Sequence, residues 1–112
     1  MQYIALIWTR FDTEADIDPA ERERYDAFAE EAGRAGVLRG GAALHPGSAA
    51  TTVRLRNDEV LFTDGPFVES KEQLSGYFLV ECADLDEALA WAARIPGAAH
   101  GAIEVRPLLI TH

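Results

Sequence analysis

Thr51-Thr52-Val53-Arg54-Leu55-Arg56-Asn57-Asp58-Glu59-Val60-Leu61-Phe62-Thr63 is the stretch on which the fold turns. Val53 and Leu55 alternate with Thr52, Arg54 and Arg56, the period of two that sends successive strand side chains to opposite faces. Asn57-Asp58 supplies turn chemistry before Val60-Leu61-Phe62-Thr63, so a hairpin is predicted. On its N-terminal side, Asp18-Pro19-Ala20-Glu21 reads as an N-cap, a proline at the first helical position and an early acidic residue, which starts a helix over about Pro19 to Ala35. Tyr25, Phe28, Ala29 and Ala32 give that helix one apolar stripe, and Gly36 is its stop. On the other side, Asp84-Leu85-Asp86-Glu87 opens a second helix with Leu85, Ala88, Leu89, Ala92 and Ile95 as its buried stripe, ended by Pro96-Gly97.

Strands complete the pattern. Tyr3 to Trp8 is apolar on both alternating faces, as a central strand should be. Val37 to His45 is interrupted by Gly40 and Gly41 and reads as bent or bulged. Gly76 to Cys82 is apolar-rich, and Ala102 to Arg106 alternates. The order β-α-β-β-(β)-α-β, with a hairpin between two helices, predicts an α+β fold of ferredoxin-like type: an antiparallel sheet with both helices on one face. The opposite face, expected to carry apolar residues of the first strand with Arg54, Arg56, Glu104 and Arg106, needs a cover, and a second copy of the chain is the simplest one. A homodimer joined through its sheet faces, enclosing a partly polar cleft for a small molecule, is therefore expected.

The 112 residues fit a single domain spanning 1–112, and 48% hydrophobic with 26% charged residues suits a folded chain. A net charge of −9 argues against direct binding to nucleic acid or to an anionic membrane. One cysteine, Cys82, excludes an intrachain disulfide and fits a cytoplasmic location. The apolar run at the N-terminus is far shorter than a membrane span and has no basic start, so it reads as a strand rather than an anchor or signal.

Thr63-Asp64-Gly65-Pro66-Phe67-Val68-Glu69-Ser70-Lys71-Glu72-Gln73-Leu74-Ser75-Gly76-Tyr77 concentrates turn formers and ionisable groups between two strands. Asp-Gly-Pro cannot continue a strand, and such loops are favoured places for binding groups as well as for plain solvated turns. With Phe78 and the later Asp84-Leu85-Asp86-Glu87-Ala88-Leu89-Ala90-Trp91-Ala92-Ala93, this string resembles the DGPF-motif branch of the YCII-related family. The resemblance extends to the first strand, to Gly40-Gly41 before Leu44-His45-Pro46, and to Glu104-Val105-Arg106-Pro107. Ser70 and Ser75 stand where threonine and glycine are usual, and neither replaces an ionisable group. What the resemblance implies is a dimeric α+β barrel of ferredoxin-like subunits, proposed enzymes with a histidine and an aspartate in a cleft, and for some members a link to sigma-factor transcription regulation.

Among the residues themselves, His45 is the acid/base candidate because imidazole titrates near neutrality, and Asp64 is the group that would orient it. Lys71, between Glu69 and Glu72, is either an anion or Schiff-base site or a surface ion pair. Tyr77 is either a cleft hydroxyl or a packing residue, and Arg54 either a carboxylate fork or a salt-bridge partner. Three scattered histidines without metal-ligand spacing, and no Gly-rich phosphate cradle or nucleophile elbow, point to no metal and no cofactor. A cofactor-independent acid/base enzyme and a noncatalytic ligand-binding or interaction module both remain compatible with the sequence.

Overall fold

Eight consecutive residues, Gln2–Thr9, form β1, and the alternation of buried and half-buried side chains along it makes it the centre of everything else. In the computed structural model, which describes residues 1–10 and 18–112, the remaining elements are α1 (Pro19–Arg34), β2 (Leu38–Ala43), β3 (Thr51–Arg56), β4 (Glu59–Asp64), β5 (Gln73–Glu81), α2 (Leu85–Ala92) and β6 (Ala102–Pro107). Short 3₁₀ turns cover Gly47–Ala49 and Pro96–Ala99. The four-stranded sheet runs β2-β5-β1-β6 with every neighbouring pair antiparallel. This is a ferredoxin-like α+β fold.

Local chemistry explains the boundaries. Asp18 accepts a hydrogen bond from the Ala20 amide at 2.9 Å and Pro19 occupies the first helical position. Asp84 caps α2 by accepting from the Glu87 amide at 2.9 Å. Each cap satisfies an amide that the helix itself cannot. Gly36, at φ 75°, takes the left-handed conformation that ends α1.

Tyr3, Ala5 and Ile7 of β1 face the helices and pair with Val80, Phe78 and Gly76 of β5. Phe28 and Ala32 of α1 and Ala88 and Ala92 of α2 close over them, all buried. The Phe28 ring lies 5.0 Å from Phe78 and 6.1 Å from Trp91, centroid to centroid, in tilted and edge-on arrangements. Burying each such large side chain stabilises the fold by roughly 1.5–3 kcal/mol. The expected stripe of α2 is narrower than its sequence implies: Ala88, Ala92 and Ile95 are buried, whereas Leu85 and Leu89 are each 47% exposed. Small alanines already bring α2 close to the sheet, so the flanking leucines fall outside the contact.

The other sheet face presents Ile4, Leu6 and Trp8 of β1 and Tyr77 and Leu79 of β5, all half-buried, beside Glu104 and Arg106 of β6. Trp8 Nε1 donates to Glu104 Oε1 at 3.1 Å, and Arg106 Nε donates to Glu104 Oε2 at 2.6 Å. Arg54 and Arg56 do not belong to this face. They lie on β3, which with β4 forms a separate two-stranded sheet. Among the described residues the hairpin pairs only with itself, from Thr51 opposite Asp64 to Arg56 opposite Glu59, and it turns at Asn57 and Asp58, both with positive φ. β2 carries a register shift between Leu38 and Gly40, the bulge that its glycines foreshadow.

Candidate functional site

The Asp-Gly-Pro-Phe run builds a joint. Gly65, at φ 99°, donates its amide to the Ala50 carbonyl at 2.8 Å, and its own carbonyl accepts from Thr52 Oγ1 at 3.0 Å. Gly47 donates to Gln73 Oε1 at 2.9 Å, and a Cβ at Gly47 would fall 3.1 Å from the Pro66 ring. Arg54 lays its guanidinium over the Phe67 ring, 4.9 Å from the centroid. Together these contacts tie the root of the hairpin to the turn after β2. Asp64, the last residue of β4, stands exposed at this root, as do Glu69 and Lys71 in the loop that follows. Ser70 Oγ donates to the Glu72 carbonyl within that loop.

His45 is exposed in the segment that leaves β2, between Leu44, whose amide is held by the Ser75 carbonyl at 2.9 Å, and the buried Pro46. Tyr77 lies on the open face opposite Leu6 and Ala42. The six residues singled out in the sequence thus divide among the hairpin and its loop, the open sheet face and the turn after β2. None of them lines the cavity described next.

That cavity, of about 320 Å³, lies between the first half of α1 and the β2–β5 side of the sheet. Small residues create it. A Cβ at Gly76 would fall 2.7 Å from the Ala42 carbonyl oxygen, and one at Gly41 would fall 2.6 Å from the Phe78 ring, so close strand approach demands glycine at both. With Ala43 beside them and Ala29 above, no bulky side chain of the described residues fills the space. Ile7, Leu44 and Phe78 complete an apolar wall.

One end is polar. Thr9, 7% exposed, donates from Oγ1 to Ser75 Oγ at 3.0 Å, and Ser75 Oγ donates in turn to the Ile7 carbonyl at 3.2 Å. Tyr25 reaches down from α1, its ring stacked on Phe78 at 6.5 Å. A Cβ on Gly97 would lie 2.6 Å from the Tyr25 hydroxyl and close to Ile7 and Thr9, so all three meet at this glycine. Burial raises the Tyr25 pKa, the Glu21 carboxylate raises it further, and a hydrogen bond from the Gly97 backbone opposes them. The phenol therefore stays protonated at neutral pH. Glu21 Oε1 lies 2.5 Å from His100 Nε2 at the rim. Arg10, Arg22, Asp18 and Asp26 complete the lining, so the charged groups nearly cancel.

Among the described residues, no three His, Cys, Asp or Glu side chains gather where they could hold a metal ion. No described helix is long and apolar enough to cross a membrane. Cys82 is buried, and burial followed by the neighbouring Glu87 raises its thiol pKa, which suppresses the reactive thiolate.

The model of the YCII-related domain matches residues 1–110. The chain belongs to the YCII-related family. An uncharacterised protein of Rhizobium meliloti (strain 1021) is 46% identical to this YCII-related domain over 82 residues, covering 71% of this chain and 64% of the relative. The domain thus spans less than two thirds of that protein's length.

The cavity residues missed in the sequence are Tyr25, read there only as part of the helix stripe, and Thr9, Ser75, Glu21 and His100. One signal was present: the run of small residues Gly41-Ala42-Ala43 marks missing volume. The Glu21–His100 pair, 79 residues apart in the chain, leaves no local trace.

Proposed function

We propose that this YCII-related domain binds an uncharged small molecule in the cavity beneath α1 and acts on it as a cofactor-independent acid/base enzyme. The observation that carries the reading is the cavity itself: a volume suited to a small ligand, an apolar wall and polar groups gathered at one end. His45, exposed in the turn just after the cavity-lining Leu44, is the proton-transfer group in this proposal. Asp64 at the adjoining hairpin root supports it, with Lys71 or Glu69 assisting.

The domain acts as a homodimer in this reading. Its support is the half-buried apolar face of the main sheet together with the hairpin face of Val53, Leu55, Val60 and Phe62, whose exposures run from 54% to 72%. Among the described residues, no second layer of helix or strand covers either surface, and a two-stranded ribbon is marginal alone. A second reading, a noncatalytic ligand-binding or interaction module linked to sigma-factor regulation, draws on the acidic exposed side of α1, where Glu23 and Glu30 face solvent.

A screen of small uncharged carbonyl compounds for conversion separates the readings. For a converted compound, His45→Ala should lower turnover about 10²- to 10⁴-fold while binding persists. Turnover unchanged in both His45→Ala and Asp64→Asn would remove these residues from the mechanism. Binding without conversion of any compound would favour the noncatalytic module.

A further inference from the structure

We infer that Tyr25 gives its hydroxyl hydrogen bond to the carbonyl oxygen of an uncharged ligand in the cavity, an assignment that rests on the cavity being the ligand site. Three observations lead there. Among the described residues, the Thr9 and Ser75 hydroxyl protons are already committed, one to Ser75 Oγ and the other to the Ile7 carbonyl. The Tyr25 oxygen packs against Gly97, so close that a Cβ there would lie 2.6 Å from it, and no described group takes the Tyr25 proton. A phenol held in place with its proton uncommitted is ready to donate to a ligand acceptor. Tyr25 is therefore a positioned neutral donor at the polar end of an apolar space.

Charge selects the ligand class. Glu21, close enough to oppose ionisation of Tyr25, repels an anion from this end, and the acidic lining residues Asp18 and Asp26 offset Arg10 and Arg22. A carboxylate ligand would meet that field, whereas a ketone or aldehyde presents an acceptor without charge. The stacked Tyr25 and Phe78 rings suit a flat molecule of about one ring, in keeping with a cavity of about 320 Å³.

The test uses acetophenone labelled with carbon-13 at its carbonyl, and ethylbenzene, which has nearly the same shape without the acceptor. NMR titration of the full chain follows the carbonyl signal and the affinity of each probe for wild type and Tyr25→Phe. The expected result is a downfield carbonyl shift on binding that disappears in Tyr25→Phe, with acetophenone weakened about three- to tenfold, the value of one neutral hydrogen bond. Ethylbenzene should bind both proteins equally, which also establishes that the variant keeps its cavity. Binding of both probes with no downfield shift, or with acetophenone indifferent to Tyr25→Phe, overturns the assignment and leaves the cavity reading standing. Failure of both probes to bind up to their solubility overturns the cavity reading and this assignment with it.

Discussion

β1 and the β3–β4 hairpin share the strand period of two, yet one is the best-buried strand and the other the most exposed. β1 has hydrogen-bonded neighbours on both edges and two helices on one face. Among the described residues the hairpin has a single partner per strand and, apart from half-buried Thr52, none of its strand residues is buried or half-buried. Strand formation and burial are thus separate events. Cross-strand pairs and an Asn-Asp turn suffice to shape a ribbon, but only a second layer removes its side chains from water.

Truncation should break the comparison most sharply. Phe28→Ala, at a site 4% exposed and in contact with two other rings, should cost about 3–5 kcal/mol in urea unfolding. Phe62→Ala, 72% exposed, should shift the unfolding of the isolated chain by no more than about 0.5 kcal/mol. In the proposed dimer, Phe62→Ala should instead weaken self-association, read by sedimentation as a rise in the dissociation constant. Wild-type protein that sediments as a monomer at micromolar concentration would remove the dimer.

A pair of glycine substitutions sharpens it further. Gly76→Ala pushes a methyl into the Ala42 carbonyl within the main sheet and should cost about 1–3 kcal/mol. Gly65→Ala meets no atom within 4 Å, so its cost at the hairpin root is backbone strain alone, about 1–2 kcal/mol at its positive φ. Equal and large losses at both sites would mean that the hairpin root is packed as tightly as the sheet.

The smallest effect concerns pH on the open face. Arg106 first, and the Trp8 indole after burial's opposing push, hold the Glu104 carboxyl below its ordinary 4.5. Because the folded value is the lower one, the stabilisation is present above the ordinary value and is lost as pH falls through the folded one. The midpoint of the Trp8 indole N–H titration should therefore lie below pH 4.5, and Arg106→Ala should move it upward. A Trp8 midpoint unaffected by Arg106→Ala would mean that the guanidinium does not govern this carboxylate.

Much of this was legible from local pattern. Asp18-Pro19 and Asp84 announced both helices, Asn57-Asp58 announced the turn, and the uninterrupted apolar run of β1 announced a central strand. Alternation could not say which sheet the hairpin joins, since a ribbon and a sheet strand share the period of two. That is why Arg54 and Arg56 were expected on the main sheet. It also could not weigh Leu85 and Leu89 against the alanines that set how closely α2 approaches. The cavity was least legible, because it is made by absent side chains at Gly41 and Gly76 and by groups that meet only after folding, such as Tyr25 with Gly97.

The bulge in β2 has a further consequence. β2 ends the sheet, and among the described residues no other strand pairs with its outer edge. A straight apolar edge of that kind recruits strands from other molecules and seeds fibres. Here the register breaks between Leu38 and Gly40, and the exposed Arg39 in the gap donates its guanidinium to the carbonyls of Gly36 and Leu38. A cation and a kink at the rim make the edge a poor template, so the irregular strand guards the chain against uncontrolled polymerisation.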